Sequence, residues 1–216
     1  MPDPYAQRTR TLTGQGPAGS PPWTDAVKER KAVLTRSVTE LAAAAIADAE
    51  LVAVLCRGAG LLPAVVRLEP AQAVALALLH ADPGVAATAV DANNALEALS
   101  GSEPDLYAIK HGWVAGPRER AGAAAVSAEL VAAVLDAARG GSIVWERDPD
   151  FGYEVVAEVP ELDSETALAL CPRLLYTRLG RVYEHAELVA LIKRERRDQL
   201  EPIEGLDSEI LSALEQ

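Results

Sequence analysis

Leu51 to Cys56, LVAVLC, is a continuous apolar run of strand length with no polar alternation. A strand that meets water on one face alternates apolar and polar residues, so an unbroken run belongs in a sheet covered on both faces. Helices must supply that cover, which makes an α/β sandwich the expected core. Composition agrees: 50% of the residues are hydrophobic yet only 4% are aromatic, and alanine dominates, so the covering helices are Ala-rich. The 216 residues suffice for one domain.

The remaining elements follow from start and stop signals. Met1 to Trp23 is rich in Pro, Gly, Ser and Thr with few apolar residues, so burial cannot offset the entropy of ordering it. It reads as a flexible arm, leaving 24–216 as the folded domain. A charged helix is expected from Asp25 to Arg36 behind a Thr24 cap, and a second, Ala-rich helix from Ser37 or Thr39 to Ala49. Glu69-Pro70 opens a helix through Leu79, with Pro in the first turn where its missing amide costs nothing, and Asp82-Pro83-Gly84 stops it. A short helix is expected within Val85–Ser100, a strand at Leu106–Ile109 beside Leu51–Cys56, and a helix over Ser127–Ala138 ended by Gly140-Gly141. Ile143–Trp145 and Tyr153–Glu158 read as short strands.

The C-terminal part carries two apolar stripes. Val182, Ala186, Val189, Ile192 and, more loosely, Leu200 fall on one side of a helix, with Arg194, Arg196 and Arg197 on another. Pro202 breaks it, and Leu206, Ile210, Leu211 and Leu214 follow behind an Asp207-Ser208 cap. Such stripes either pack on the domain or receive a partner, a second copy or another protein.

Several function classes are disfavoured by what the chain contains. With 32 acidic against 20 basic residues the net charge is -12, which opposes nonspecific binding to nucleic acid or to anionic lipid. The longest apolar runs fall short of the roughly 18 residues of a membrane span, and no export signal opens the chain, so a cytoplasmic protein is expected. Cys56 and Cys171 lie far apart and share no ligand spacing with His80, His111 or His185, so neither a metal site nor a disulfide framework is expected. Cys56, ending an apolar strand, has the setting of a small buried thiol. His111, beside Gly112-Trp113, reads as a packed or hydrogen-bonded side chain.

Three stretches share a further pattern. Trp145 to Arg173 reads as a loop-strand-loop-helix unit built on Arg147, Asp148, Pro149, Phe151, Gly152, Val159, Pro160, Leu162, Pro172 and Arg173. Upstream stand Gly60, Leu61, Leu62, Pro63, Arg67, Leu68, Pro70 and Gln72, and between the two, Gly112, Trp113, Gly116 and Pro117. In this order the stretches resemble the C-terminal part of ATP-dependent phosphoenolpyruvate carboxykinases, over roughly the last three quarters of the chain. The resemblance implies a single α/β domain like the C-terminal half of that family's kinase lobe, a short-stranded sheet flanked by Ala-rich helices.

It also implies a site, which the sequence largely lacks. The family cradles nucleotide phosphates in a loop spelled GxxxxGK(S/T), and no such loop occurs here. Phosphoryl transfer rests on positioning and charge neutralisation, so without that loop and the metal ligands of the family's upstream half little chemistry is left. By the resemblance, Arg120 and Ser127 stand nearest to the residues that contact the nucleotide base, and Thr35-Arg36 matches a step whose Arg reaches the transferred phosphate and the substrate. A solvated loop Arg and an ordinary helix-start charge are the plain alternatives. Val85–Ser100 takes the place of the family's mobile lid without a basic, phosphate-facing residue.

Three functions are compatible with these residues. The first is a noncatalytic carboxykinase relative that binds, scaffolds or regulates, with no cofactor and with a protein partner. The second is one subunit of a split carboxykinase, taking ATP and magnesium when another chain supplies the phosphate loop and metal site. The third is an unrelated helical interaction module.

Overall fold

A computed structural model of the chain describes residues 32–46, 49–57, 60–81, 87–159, 162–163 and 166–215. The elements follow in the order β1 (Ala32–Thr35), α1 (Val38–Ile46), β2 (Leu51–Cys56), β3 (Val65–Arg67), α2 (Pro70–Leu79), α3 (Ala89–Ser102), β4 (Asp105–Lys110), β5 (Gly112–Val114) and β6 (Ala124–Val126). Then come α4 (Ala128–Arg139), β7 (Val144–Arg147), β8 (Glu154–Glu158), a 3-10 turn (Thr166–Leu170), α5 (Pro172–Arg178), α6 (Val182–Leu200) and α7 (Ser208–Ser212). Six strands form one mixed sheet in the order β1-β2-β4-β3-β8-β7, and β5 and β6 make a separate hairpin. The fold class expected from the apolar run, α/β in one domain, is the class observed.

The run itself becomes β2, the second strand of the sheet, flanked in parallel by β1 and β4. Val52, Ala53 and Val54 are each 0% exposed, as a strand with both faces covered requires. Register places Leu51 opposite Asp105 and Cys56 opposite Lys110, so β2 and β4 end level with one another. Beyond β4 the sheet turns antiparallel, through β3, β8 and β7.

Alanine sets how the cover packs. Val38, Leu41, Ala44 and Ala45 of α1 and Ala92, Ala95, Leu96 and Leu99 of α3 are all buried, and the two helices lie against each other. Small side chains let the helix backbones approach, so the interior fills without large aromatic residues. Thr88 caps α3 in a reciprocal box with Asp91: its hydroxyl accepts from the Asp91 amide at 3.1 Å, and the Asp91 carboxylate accepts from the Thr88 amide at 3.0 Å. At the other end Glu103 takes a left-handed conformation, φ 48°, and its amide bonds the Leu99 carbonyl.

The stop and start signals place α2, α4, α6 and α7 close to expectation, with Pro70 at the first turn of α2, Ser127 capping α4 and Asp207 capping α7. One expectation fails. Residues 32–35 of the helix anticipated over Asp25–Arg36 are strand β1, because Ala32, Val33, Leu34 and Thr35 pair in register with Leu51 to Val54. The sheet edge left by β2 outweighs local propensity there. Arg36 follows as a bend, and residues 25–31, Thr24, the arm over 1–23 and the Asp82-Pro83-Gly84 stop lie outside the described residues. The strands β3, β5 and β6, each of three residues, are additions to the expected set. Among the described residues no helix is long and apolar enough to cross a membrane.

Candidate functional site

The residues that the sequence offers to a nucleotide are held by different elements. Arg120 lies in the turn between β5 and β6, and its guanidinium pairs with Glu184 of α6. Its aliphatic stem packs on Gly116, where φ is 131° and an added Cβ would lie 2.3 Å from Arg120 Cδ. The turn therefore needs glycine for conformation and for space. Ser127 is the cap of α4, its hydroxyl accepting from the Leu130 amide at 3.1 Å. Arg36 directly follows β1, and its Nε donates to the Leu55 carbonyl of β2 at 3.3 Å. Only Arg36 stands at the carboxyl edge of the parallel strands, where open α/β sheets bind their ligands.

A second set of groups, not anticipated from the sequence, gathers at that edge. Lys110 ends β4 almost wholly buried, 2% exposed, and donates from Nζ to the Gly60 carbonyl at 2.8 Å. Burial pulls its ammonium down to about 8. Its register neighbour Cys56 is fully buried, and burial pushes the thiol up to about 12 against the pull of Arg196, Lys110 and Arg36. His80, at the end of α2, is driven down to about 4 first by burial and then by the same three cations. With such a pKa the imidazole is neutral at pH 7, and with such a thiol Cys56 is no nucleophile.

Arg196 reaches this edge from α6. Its guanidinium lies over the Phe151 ring at 4.6 Å, and Nη1 is buried with no hydrogen-bond partner among the described residues. Phe151 in turn stacks on Tyr153 at 5.7 Å between ring centroids, and the Tyr153 hydroxyl is a second buried atom without a partner among the described residues. Burial lowers the Arg196 guanidinium, with Tyr153, Cys56 and Asp148 opposing, and raises the Tyr153 phenol well above its ordinary value. Asp148 is committed to its own loop, Oδ1 accepting from the amides of Asp150 at 2.9 Å and Phe151 at 2.8 Å.

These positions correct the expected faces of α6. Arg196 points inward rather than to a polar side, together with half-buried Val189 and Ile192 and buried Leu200, whereas Val182 is 55% exposed and Ala186 is exposed. The second stripe is covered by the domain itself: Leu206, Ile210 and Leu214 are buried, and the Ala213 carbonyl accepts from Gln72 of α2 at 3.2 Å. His111, expected to be packed or hydrogen-bonded, is exposed, and its backbone amide bonds the Cys56 carbonyl at 3.0 Å.

A hollow of about 220 Å³ opens between the β7–β8 turn and the α5–α6 corner, lined by Asp150, Arg173, Thr177, Val182, His185 and Val189 among others. His185 Nε2 stands 4.0 Å from Asp150 Oδ2, and burial lowers its pKa more than the carboxylate restores it. Among the described residues no group of His, Cys, Asp and Glu could hold a metal ion, and both cysteines are free thiols.

No protein-family model matches the chain, and no curated protein emerges as a relative. Sequence reasoning had one usable signal for Lys110, a charge closing the apolar strand Leu106–Ile109 level with Cys56. His80 and Arg196 carry no local signal, since their meeting depends on how α2 and α6 pack.

Proposed function

We propose that this chain is a noncatalytic relative of ATP-dependent phosphoenolpyruvate carboxykinases, its sheet a remnant of the C-terminal half of the kinase lobe, and that it acts in the cytoplasm as a binding or regulatory protein. The observation that carries the reading is the pairing of Arg120 with Glu184. The one basic side chain that the resemblance offers to a nucleotide base is held by a carboxylate of the same chain, and Ser127 is a helix cap. Phosphoryl transfer needs several cations placed around the phosphates. A chain whose nucleotide residues hold its own loops together retains a fold and surfaces, and function then belongs to those surfaces.

Self-association is the partner reading we favour. The stripe on α7 is covered, and among the exposed apolar side chains of the described residues Leu174 (51% exposed), Val182 (55%) and Tyr183 (88%) stand around the α5–α6 corner beside the hollow, where a second copy would dock. Calorimetric titration with magnesium-ATP, together with mass by light scattering, tests both parts. The expected result is no heat of binding and a mass above that of the monomer. Micromolar binding by a monomer would overturn the reading and favour the split carboxykinase instead.

A further inference from the structure

We infer that the hollow between the β7–β8 turn and the α5–α6 corner binds a small aliphatic amino acid, with Arg173 receiving its carboxylate, Asp150 and His185 its ammonium, and Val182, Ala186 and Val189 its side chain. The inference goes beyond the carboxykinase reading and uses none of the residues that the resemblance offers to a nucleotide.

Opposite charges that share the hollow without touching give the ligand class. Arg173 of α5 and Asp150 of the β7–β8 turn both line it, yet they form no ion pair with each other, and the Arg173 guanidinium has no hydrogen-bond partner among the described residues. His185 feels both, the carboxylate favouring its imidazolium and the guanidinium opposing it. Its Nε2 lies 4.0 Å from Asp150 Oδ2, too far for a direct hydrogen bond. Packing fixes that gap, since Tyr176 meets the imidazole edge to face at 5.5 Å between ring centroids. With the proton on Nδ1, Nε2 is an acceptor, and an ammonium donating to it and to the carboxylate at about 2.9 Å each spans the gap. The Arg173 guanidinium offers its fork of donors to a carboxylate. A simple anion would leave Asp150 unmatched and a simple amine would leave Arg173 unmatched, whereas a zwitterion answers both.

The wall of the hollow gives the side chain. Val182, Ala186 and Val189 recur at helical spacing along α6 and line one side of it. Val182 and Ala186 are exposed and Val189 is half-buried, so apolar surface is left there for a ligand to cover. At about 220 Å³ the space lies below the roughly 300–1,000 Å³ that takes a drug-sized molecule, which suits a single amino acid.

Calorimetric titration with L-leucine tests the inference, beside isocaproate, which lacks the ammonium, isoamylamine, which lacks the carboxylate, and glycine, which lacks the side chain. The expected result is saturable binding of leucine, with each analogue weaker at least about tenfold, the size of one lost charge-assisted bond or of a side chain left unburied. Arg173→Met and Asp150→Asn are each expected to weaken leucine binding at least about tenfold with unchanged urea midpoints. If either variant fails to fold, the analogues, which need no variant, carry the test. Tyr183→Ser alters the neighbouring corner where a second copy would dock, and is expected to bind leucine as wild type does. Absent leucine binding, analogues as tight as leucine, unchanged affinity in Arg173→Met and Asp150→Asn, or loss in Tyr183→Ser would each overturn the inference and leave the noncatalytic reading standing. Magnesium-ATP binding would overturn that reading and leave this one.

Discussion

Arg120 and Glu184 join the β5–β6 turn to helix α6 across 64 positions of sequence. Each side chain keeps about a third of its exposure, 34% and 32%. The pair thus works in partly screened surroundings, and its worth lies in tying a loop to a helix rather than in large Coulomb energy.

A double-mutant cycle on Arg120→Ala and Glu184→Ala in urea is expected to give a coupling of about 0.5–1 kcal/mol, the upper part of the range for exposed pairs. Arg120→Ala alone is expected to cost somewhat more, since its stem also covers Gly116. Neither change should alter the response to magnesium-ATP. A nucleotide affinity that appears in Glu184→Ala, with Arg120 released, would show the pair to be an internal block on a working site.

Ser127→Ala removes the acceptor for the Leu130 amide at the start of α4 and is expected to cost about 1 kcal/mol, with Ser127→Asp close to neutral. Urea denaturation of both variants checks this. Equal losses would mean that the hydroxyl serves something other than the helix end.

How far the fold could be read from the sequence depends on where each signal resides. Leu51–Cys56 announced a strand covered on both faces because six consecutive apolar residues leave little choice, and Pro70, Ser127 and Asp207 marked helix starts because capping is chemistry between near neighbours. Residues 32–35 were misread because their strand exists only through the neighbouring edge of β2. The candidate site was almost illegible for the same reason. Arg36 alone was singled out in advance, whereas Lys110, His80, Tyr153 and Arg196 come from four elements separated by 30 residues or more. Periodicity even misdirected Arg196, since a long side chain can turn its charge inward when an aromatic face such as Phe151 receives it.

Ile210 distinguishes a helix that belongs to the domain from one kept for a partner. It is 0% exposed on α7, flanked by buried Leu206 and Leu214, with Gln72 of α2 holding the Ala213 carbonyl. Ile210→Ala is expected to cost about 2–4 kcal/mol through lost transfer energy and the cavity left behind. Tyr183→Ser, at 88% exposure, is expected to leave stability within about 0.5 kcal/mol and to lower the mass in light scattering. The opposite pattern, a silent Ile210→Ala and a destabilised Tyr183→Ser, would reverse the assignment of inner and outer faces.

His80 makes stability depend on pH in a defined direction. Its folded-state pKa of about 4 lies below the ordinary value of 6.5, because burial and the cations Arg196, Lys110 and Arg36 all disfavour the imidazolium. Between those values the unfolded chain takes up a proton that the folded chain refuses. Stability is therefore fully present above about 6.5 and is lost as pH falls toward 4. From about pH 7 to about pH 5 the loss attributable to this group is about 2 kcal/mol. His185, also lowered by burial, adds loss of the same sign, and Asp148, raised by burial, offsets part of it at the acid end. Urea denaturation of wild type and His80→Gln at the two pH values isolates the group: the variant should lose about 2 kcal/mol less than wild type over the interval. Parallel losses would mean that water reaches His80 and that the edge of β1, β2 and β4 is open to solvent.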